Sequence, residues 1–157
     1  MKIRKKSEGF SDELSFIQIY DKIFKKFSSC NDLSFLEEEE RFILLSEWFT
    51  RETNGSGIES IFFGSVANHF DDLLKMLSAV KAENTFKYLK VIESFFGDKG
   101  IPKKQEERIE VFVEIQETND LYFDTIEEIN DFILFSGDEI VGDLLISELL
   151  GRGFLVK

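Results

Sequence analysis

Cysteine, histidine, proline and tryptophan each occur once in this 157-residue chain. A lone thiol, Cys30, cannot close an intramolecular disulfide. A lone imidazole, His69, rules out a His-pair metal site and any His-x-x-x-His motif. The only proline, Pro102, leaves helix interiors uninterrupted. No run of 18 apolar residues is present for a membrane span. The basic start, Met1 to Lys6, leads into Ser7-Glu8-Gly9 and not into an apolar signal-peptide core. A soluble cytoplasmic protein is expected. Cations are also scarce: 19 Lys and Arg face 31 Asp and Glu, a formal net charge of −12. Such a chain repels phosphate backbones, which argues against direct nucleic-acid binding.

Large core side chains, by contrast, are plentiful. Eighteen Phe in a chain that is 43% apolar can furnish the core of one globular domain, so the acidity is not a sign of disorder. The charge is also unevenly placed. Residues 1–31 carry seven cations and four carboxylates, and 1–10 form a basic, flexible arm in this reading. Residues 105–151 hold fourteen carboxylates and one cation, Arg108. Nearly all of the negative charge therefore belongs to the C-terminal third.

Apolar residues recur at helical spacing from end to end, and strand-like alternation is almost absent. Leu14, Ile17, Tyr20, Phe24 and Phe27 mark a helix over about residues 12–28 with Ser11 as N-cap. Ser34 with Glu37 has the form of a capping box for a second helix, which ends near Thr53 before Asn54-Gly55-Ser56-Gly57. A short segment runs through Ile58, Ile61 and Phe62, and longer ones through Phe70–Leu77 and Phe86–Phe96. Helices over about 103–117, 125–135 and 138–150 follow the turn at Pro102. The expectation is an all-α single domain of seven or eight helices, mostly antiparallel neighbours. The last helix carries so many apolar residues, Ile140, Val141, Leu144, Leu145, Ile146, Leu149 and Leu150, that it belongs at the centre of the core or at a subunit interface; the core is favoured.

Few residues offer chemistry. His69 reads as a structural histidine and Cys30 as an inert thiol. The Gly-rich turn lacks the Gly-Lys-Ser/Thr ending of a P-loop and no strand precedes it, so it reads as a helix end. Glu37–Glu40 and Asp71-Asp72 lack the spacing of a calcium loop and read as solvated helix faces. No cofactor or metal is expected, and no enzyme.

The acidic third is more informative. At about 100° per residue, Glu107, Glu110, Glu114 and Glu117 fall in one sector of about 80°, apart from Ile109, Phe112 and Val113. Glu127, Glu128 and Asp131 cluster likewise on the next helix, Asp120 and Asp124 bridge the two, and Asp138, Glu139 and Asp143 continue the series. Carboxylates one turn apart lie roughly 6 Å apart along an axis rising ~1.5 Å per residue, whereas duplex DNA carries a charge every ~1.7 Å. Two or three stripes side by side would be needed to imitate it.

Glu52-Thr53-Asn54-Gly55-Ser56-Gly57-Ile58-Glu59-Ser60-Ile61-Phe62-Phe63-Gly64-Ser65 resembles the signature of a bacterial family of small acidic helical proteins, a domain of unknown function that includes a DNA-mimic protein. The match is carried by Glu52, Asn54, Gly55, Gly57, Phe62 and Phe63, and the resemblance covers about residues 40–150. Ile58 replaces an aromatic, Ser60 a Gln and Gly64 a frequent Asn. The motif residues themselves read as structural, with Asn54 and Gly57 suited to positive φ in a tight turn. The resemblance implies a dimeric all-α protein whose anionic surface occupies the DNA-binding face of a transcription regulator. The partner would be a basic protein, a DNA-binding regulator or nucleoid protein. Two alternatives share these carboxylates: an immunity protein neutralising a basic toxin such as a nuclease, and a helical domain acidic only for solubility.

Overall fold

The structure is a computed structural model and describes residues 2–3 and 16–156. Among them are eight α-helices: α1 (Phe16–Cys30), α2 (Glu38–Ser56), α3 (Ser60–Phe63), α4 (Phe70–Ala79), α5 (Glu83–Phe95), α6 (Gln105–Thr118), α7 (Tyr122–Asp131) and α8 (Val141–Gly151). The all-α expectation holds. One antiparallel ladder of two residues per strand is added, β1 (Lys2–Ile3) against β2 (Leu155–Val156). The segment after α8 is thus extended, with Leu155 buried. Leu14, the N-cap assigned to Ser11 and the basic arm apart from β1 lie outside the described residues.

Helix α2 is the axis of the fold. Ile43, Leu44 and Leu45 are consecutive and fully buried, which requires neighbours on several sides, and α1, α3, α4 and α8 supply them. The sequence placed α8 in that central role. Instead α8 turns Val141, Leu145 and Leu149 inward, leaves Leu144, Ile146 and Leu150 half-buried and leaves Ile140 exposed. Charged residues at both ends of α2 mask its wholly buried middle.

Helix α2 also starts later than expected. Asp32 captures Ser34 first: its carboxylate accepts the Ser34 N–H at 2.8 Å and closes a 3-10 turn over Leu33–Phe35, as a short acidic side chain does two residues back in a turn. The capping box is formed by Glu37 and Glu40, with Glu40 Oε2 accepting the Glu37 N–H at 2.9 Å. Glu40 is therefore not part of a solvated face. It is buried and meets Lys26 of α1 at 2.5 Å. Glu38 faces Arg152 at 2.5 Å, which joins the start of α2 to the end of α8.

The expected break at Asn54 comes three residues later. Asn54 and Gly55 continue α2, and Gly57, at φ +79°, caps it. Beyond α7 the helix widens into a π turn over Phe132–Ser136 and ends at Gly137 in the left-handed region. The helix expected over 125–135 is therefore a three-turn α-helix, beginning at Tyr122, plus an irregular exit.

Candidate functional site

The fold mounts α6 through a buried cation. Arg108, Phe112 and Ile115 form the buried line of α6, so the inner face runs through Arg108 instead of Ile109 and Val113. Ile109 is half-buried and Val113 is 42% exposed. The Arg108 guanidinium donates from Nε to Phe62 O at 2.6 Å, from Nη2 to Gly64 O at 2.9 Å, and from Nη1 to Pro102 O at 2.8 Å and Lys103 O at 3.3 Å. Burial pushes its pKa down. These carbonyls at the end of α3 and in the 102–103 turn hold the base of α6 in place.

The acidic stripe lies on the other side. At about 100° per residue, Glu107, Glu110, Glu114 and Glu117 are centred roughly 160° round the helix from that buried line. Helix α7 repeats the arrangement: Tyr122, Ile126 and Ile129 are buried, and Asp124, Glu127 and Asp131 point roughly the opposite way. All eight expected carboxylates, Glu107, Glu110, Glu114, Glu117, Asp120, Asp124, Glu127 and Asp131, are exposed. Glu107 pairs with Lys104 at 2.9 Å. Among the described residues none of the other seven has an ion pair or a side-chain hydrogen bond.

Two carboxylates farther along, Glu139, expected to continue the acidic series, and Glu148, serve the fold instead. Glu139 accepts the N–H groups of Asn84 at 3.0 Å and Thr85 at 2.6 Å, capping α5 from a distant loop, and Glu148 pairs with Arg152 at 2.8 Å. The negative third thus combines a few structural acids with a larger set of exposed carboxylates, most of them on α6 and α7.

The motif residues sit behind this surface. Phe62 is fully buried and stacks on Phe112 at 5.5 Å, and Phe63 meets the same ring edge-on at 5.0 Å. Gly57 lies under Asn130 of α7: a Cβ there would stand 2.8 Å from Asn130 Oδ1, which accepts the Ile58 N–H at 2.8 Å. Asn54 and Gly55 are exposed on the last turn of α2. Of the two residues suited to positive φ, only Gly57 adopts it.

Glu52 is half-buried, and desolvation raises its carboxyl pKa. A Cβ on Gly64 would stand 2.4 Å from Glu52 Oε2, so the carboxylate fills the space that the missing side chain leaves. Ser60 Oγ lies 2.7 Å from both Glu52 O and Gly57 O. An open cleft of about 430 Å³ is lined by Glu52, Ser56, Glu59, Ser60, Phe63 and Gly64. At its edge the buried Tyr122 hydroxyl donates to Glu59 Oε1, and Gln116 Nε2 donates to the same oxygen at 3.1 Å. Burial and the Glu59 carboxylate push the Tyr122 pKa up. A motif read only as a turn therefore also ties α3 to α6 and α7.

His69 is half-buried between Phe27, at 6.2 Å, and Trp48, at 5.9 Å. Burial lowers its pKa, opposed by the nearby Asp72 and Asp32 carboxylates. Cys30 is exposed at the end of α1. Asp71 and Asp72 occupy the first turn of α4, where the helix dipole favours them. Among the described residues, no three His, Cys, Asp or Glu side chains gather so as to hold a metal ion, and no helix is long and apolar enough to cross a membrane.

A family model described as DMP19-like protein matches residues 34–150. Comparison with curated proteins and with solved structures gave no match.

Proposed function

The chain belongs to the DMP19-like family, named after a DNA-mimic protein, and we propose that it is itself a non-enzymatic DNA mimic whose α6–α7 surface occupies the DNA-binding surface of a basic transcription regulator or nucleoid protein. The observation that carries this reading is the set of seven exposed carboxylates without internal partners, six on two successive helices and Asp120 in the turn between them. A stripe on one helix is too sparse to imitate a duplex, and a second beside it raises the charge density. Such a face attracts a basic partner over a range set by screening, about 10 Å at 0.1 M salt. Carboxylates held apart from cations cost an isolated helix roughly 0.2–0.5 kcal/mol per one-turn pair, a cost that plain solubility does not require.

Capture of partners from the native host at low and high salt, followed by a DNA-displacement assay on the captured protein, tests the reading. The expected outcome is a basic DNA-binding protein that is retained only at low salt and released from its DNA by this chain. Changing Glu110, Glu114 and Glu117 together to Gln should weaken that displacement at least about tenfold. Salt-insensitive capture, or displacement unaffected by the triple change, would sink it. The homodimer implied by the family resemblance belongs to the same proposal, and sedimentation of the purified chain tests it.

A further inference from the structure

Two exposed apolar side chains stand among the carboxylates of α6 and α7. Between Glu117 and Asp124, where α6 turns into α7, Leu121 is 68% exposed and Phe123 is 66% exposed. Asp120 sits beside them, also exposed. Isolated surface leucines are ordinary, but the fold makes no use of this pair. Tyr122, between them, is fully buried and anchors the start of α7. The Leu121 backbone N–H is held by Asn119 Oδ1 at 3.0 Å, and the Phe123 ring lies edge-on to Tyr122 at 5.2 Å. The backbone at Leu121 and the ring of Phe123 are thus held while both side chains face water. Val113, 42% exposed, borders the same stripe on α6.

Resting on the DNA-mimic reading, we infer that Leu121 and Phe123 are apolar anchors of the acidic face, and that the partner is a basic helical surface carrying apolar side chains among its Lys and Arg residues. Pre-oriented aromatic and aliphatic side chains lose little freedom on binding, which is what makes them effective anchors. The surrounding charge selects the occupant. Two copies of this chain meeting symmetrically at the corner would bring Glu117, Asp120 and Asp124 against their own equivalents, and anionic lipid headgroups would be repelled by the same groups. A basic partner meets neither penalty. The carboxylates then supply steering and salt-sensitive attraction, and the apolar pair supplies contact that survives screening.

The test uses two helical peptides of equal length and equal positive charge, one with Leu and the other with Ala between its lysines. Titrations are run at 0.05 and 0.3 M NaCl (about 14 and 6 Å of screening length). The full chain is expected to bind the Lys/Leu peptide at least about tenfold more tightly, a ratio kept at the higher salt while both affinities fall. Leu121→Ser with Phe123→Ser should reduce that preference to within about twofold and leave the Lys/Ala affinity unchanged. Ile17→Ser with Phe24→Ser, which removes exposed apolar groups on α1, should leave the preference intact. Preference surviving the corner variant, lost in the α1 variant or absent from the unaltered chain overturns the inference, as does a dimer of the unaltered chain that the corner variant dissociates. The DNA-mimic reading fails separately, if Glu110→Gln, Glu114→Gln and Glu117→Gln together leave both affinities as they were.

Discussion

Arg108 was visible in the sequence only as the single cation of a very acidic stretch, and its four carbonyl acceptors could not be read there. Two of them, Phe62 O and Gly64 O, come from 46 and 44 residues earlier in the chain. The one available signal was its position four residues before Phe112 on the same helix. Arg108→Met keeps the volume but leaves buried carbonyls unsatisfied, at roughly 1–3 kcal/mol each. A loss of at least about 3 kcal/mol is expected in urea unfolding, and Arg108→Lys should recover only part of it because an ammonium cannot span the same fork. His69 offers a second test at this scale. Its pKa is held below the ordinary 6.5 by burial, so the folded state favours the neutral ring. That stability is complete above about 6.5 and declines as pH falls through this value toward the folded pKa. Trp48, the only tryptophan, reports on the ring beside it: its fluorescence should be quenched by the imidazolium with a midpoint below 6.5, and the transition should vanish in His69→Phe.

Among the elements, the type and number of helices were legible because apolar residues three and four apart leave little alternative. The ends were less so, since caps depend on which side chain captures a backbone group first. Asp32 displaced the box expected at Ser34, and Asn119 started α7 three residues early by holding the Leu121 N–H. The role of α8 was overestimated because composition records how apolar a helix is and not how many neighbours surround it. One end is open to improvement. Helix α4 closes with Lys81 at φ +63°, the Ala82 N–H reaching back to Leu77 O at 2.9 Å. A non-glycine residue in that region costs about 1 kcal/mol. Lys81→Gly should therefore raise the unfolding free energy by about that amount, read from a shifted denaturant midpoint at unchanged slope.

For the whole molecule, the acidic sectors were legible because helical geometry fixes which residues share a face, and α6, α7 and the turn between them expose all eight carboxylates. The division of the remaining acids was not, since Glu40, Glu139 and Glu148 find their partners through tertiary packing. This division gives opposite expectations for stability and binding. Neutralising Glu110, Glu114 and Glu117 relieves like-charge pairs one turn apart, so Tm should rise by a few degrees while partner binding falls. Neutralising Glu139 should lower Tm by exposing the start of α5. A triple variant that lost stability instead would show that those carboxylates serve the fold.

The Arg108 fork also changes what the family signature means. Phe62 and Gly64 lend their carbonyls to a residue of the acidic helix, so the recognisable stretch near residue 60 is the bracket and α6 is the panel bolted to it. The bracket fixes how the panel is mounted and says nothing of the charges painted on it. Relatives with a neutral or basic panel could carry the same signature, and counting carboxylates on α6 and α7 would separate mimics from the rest before any partner is sought.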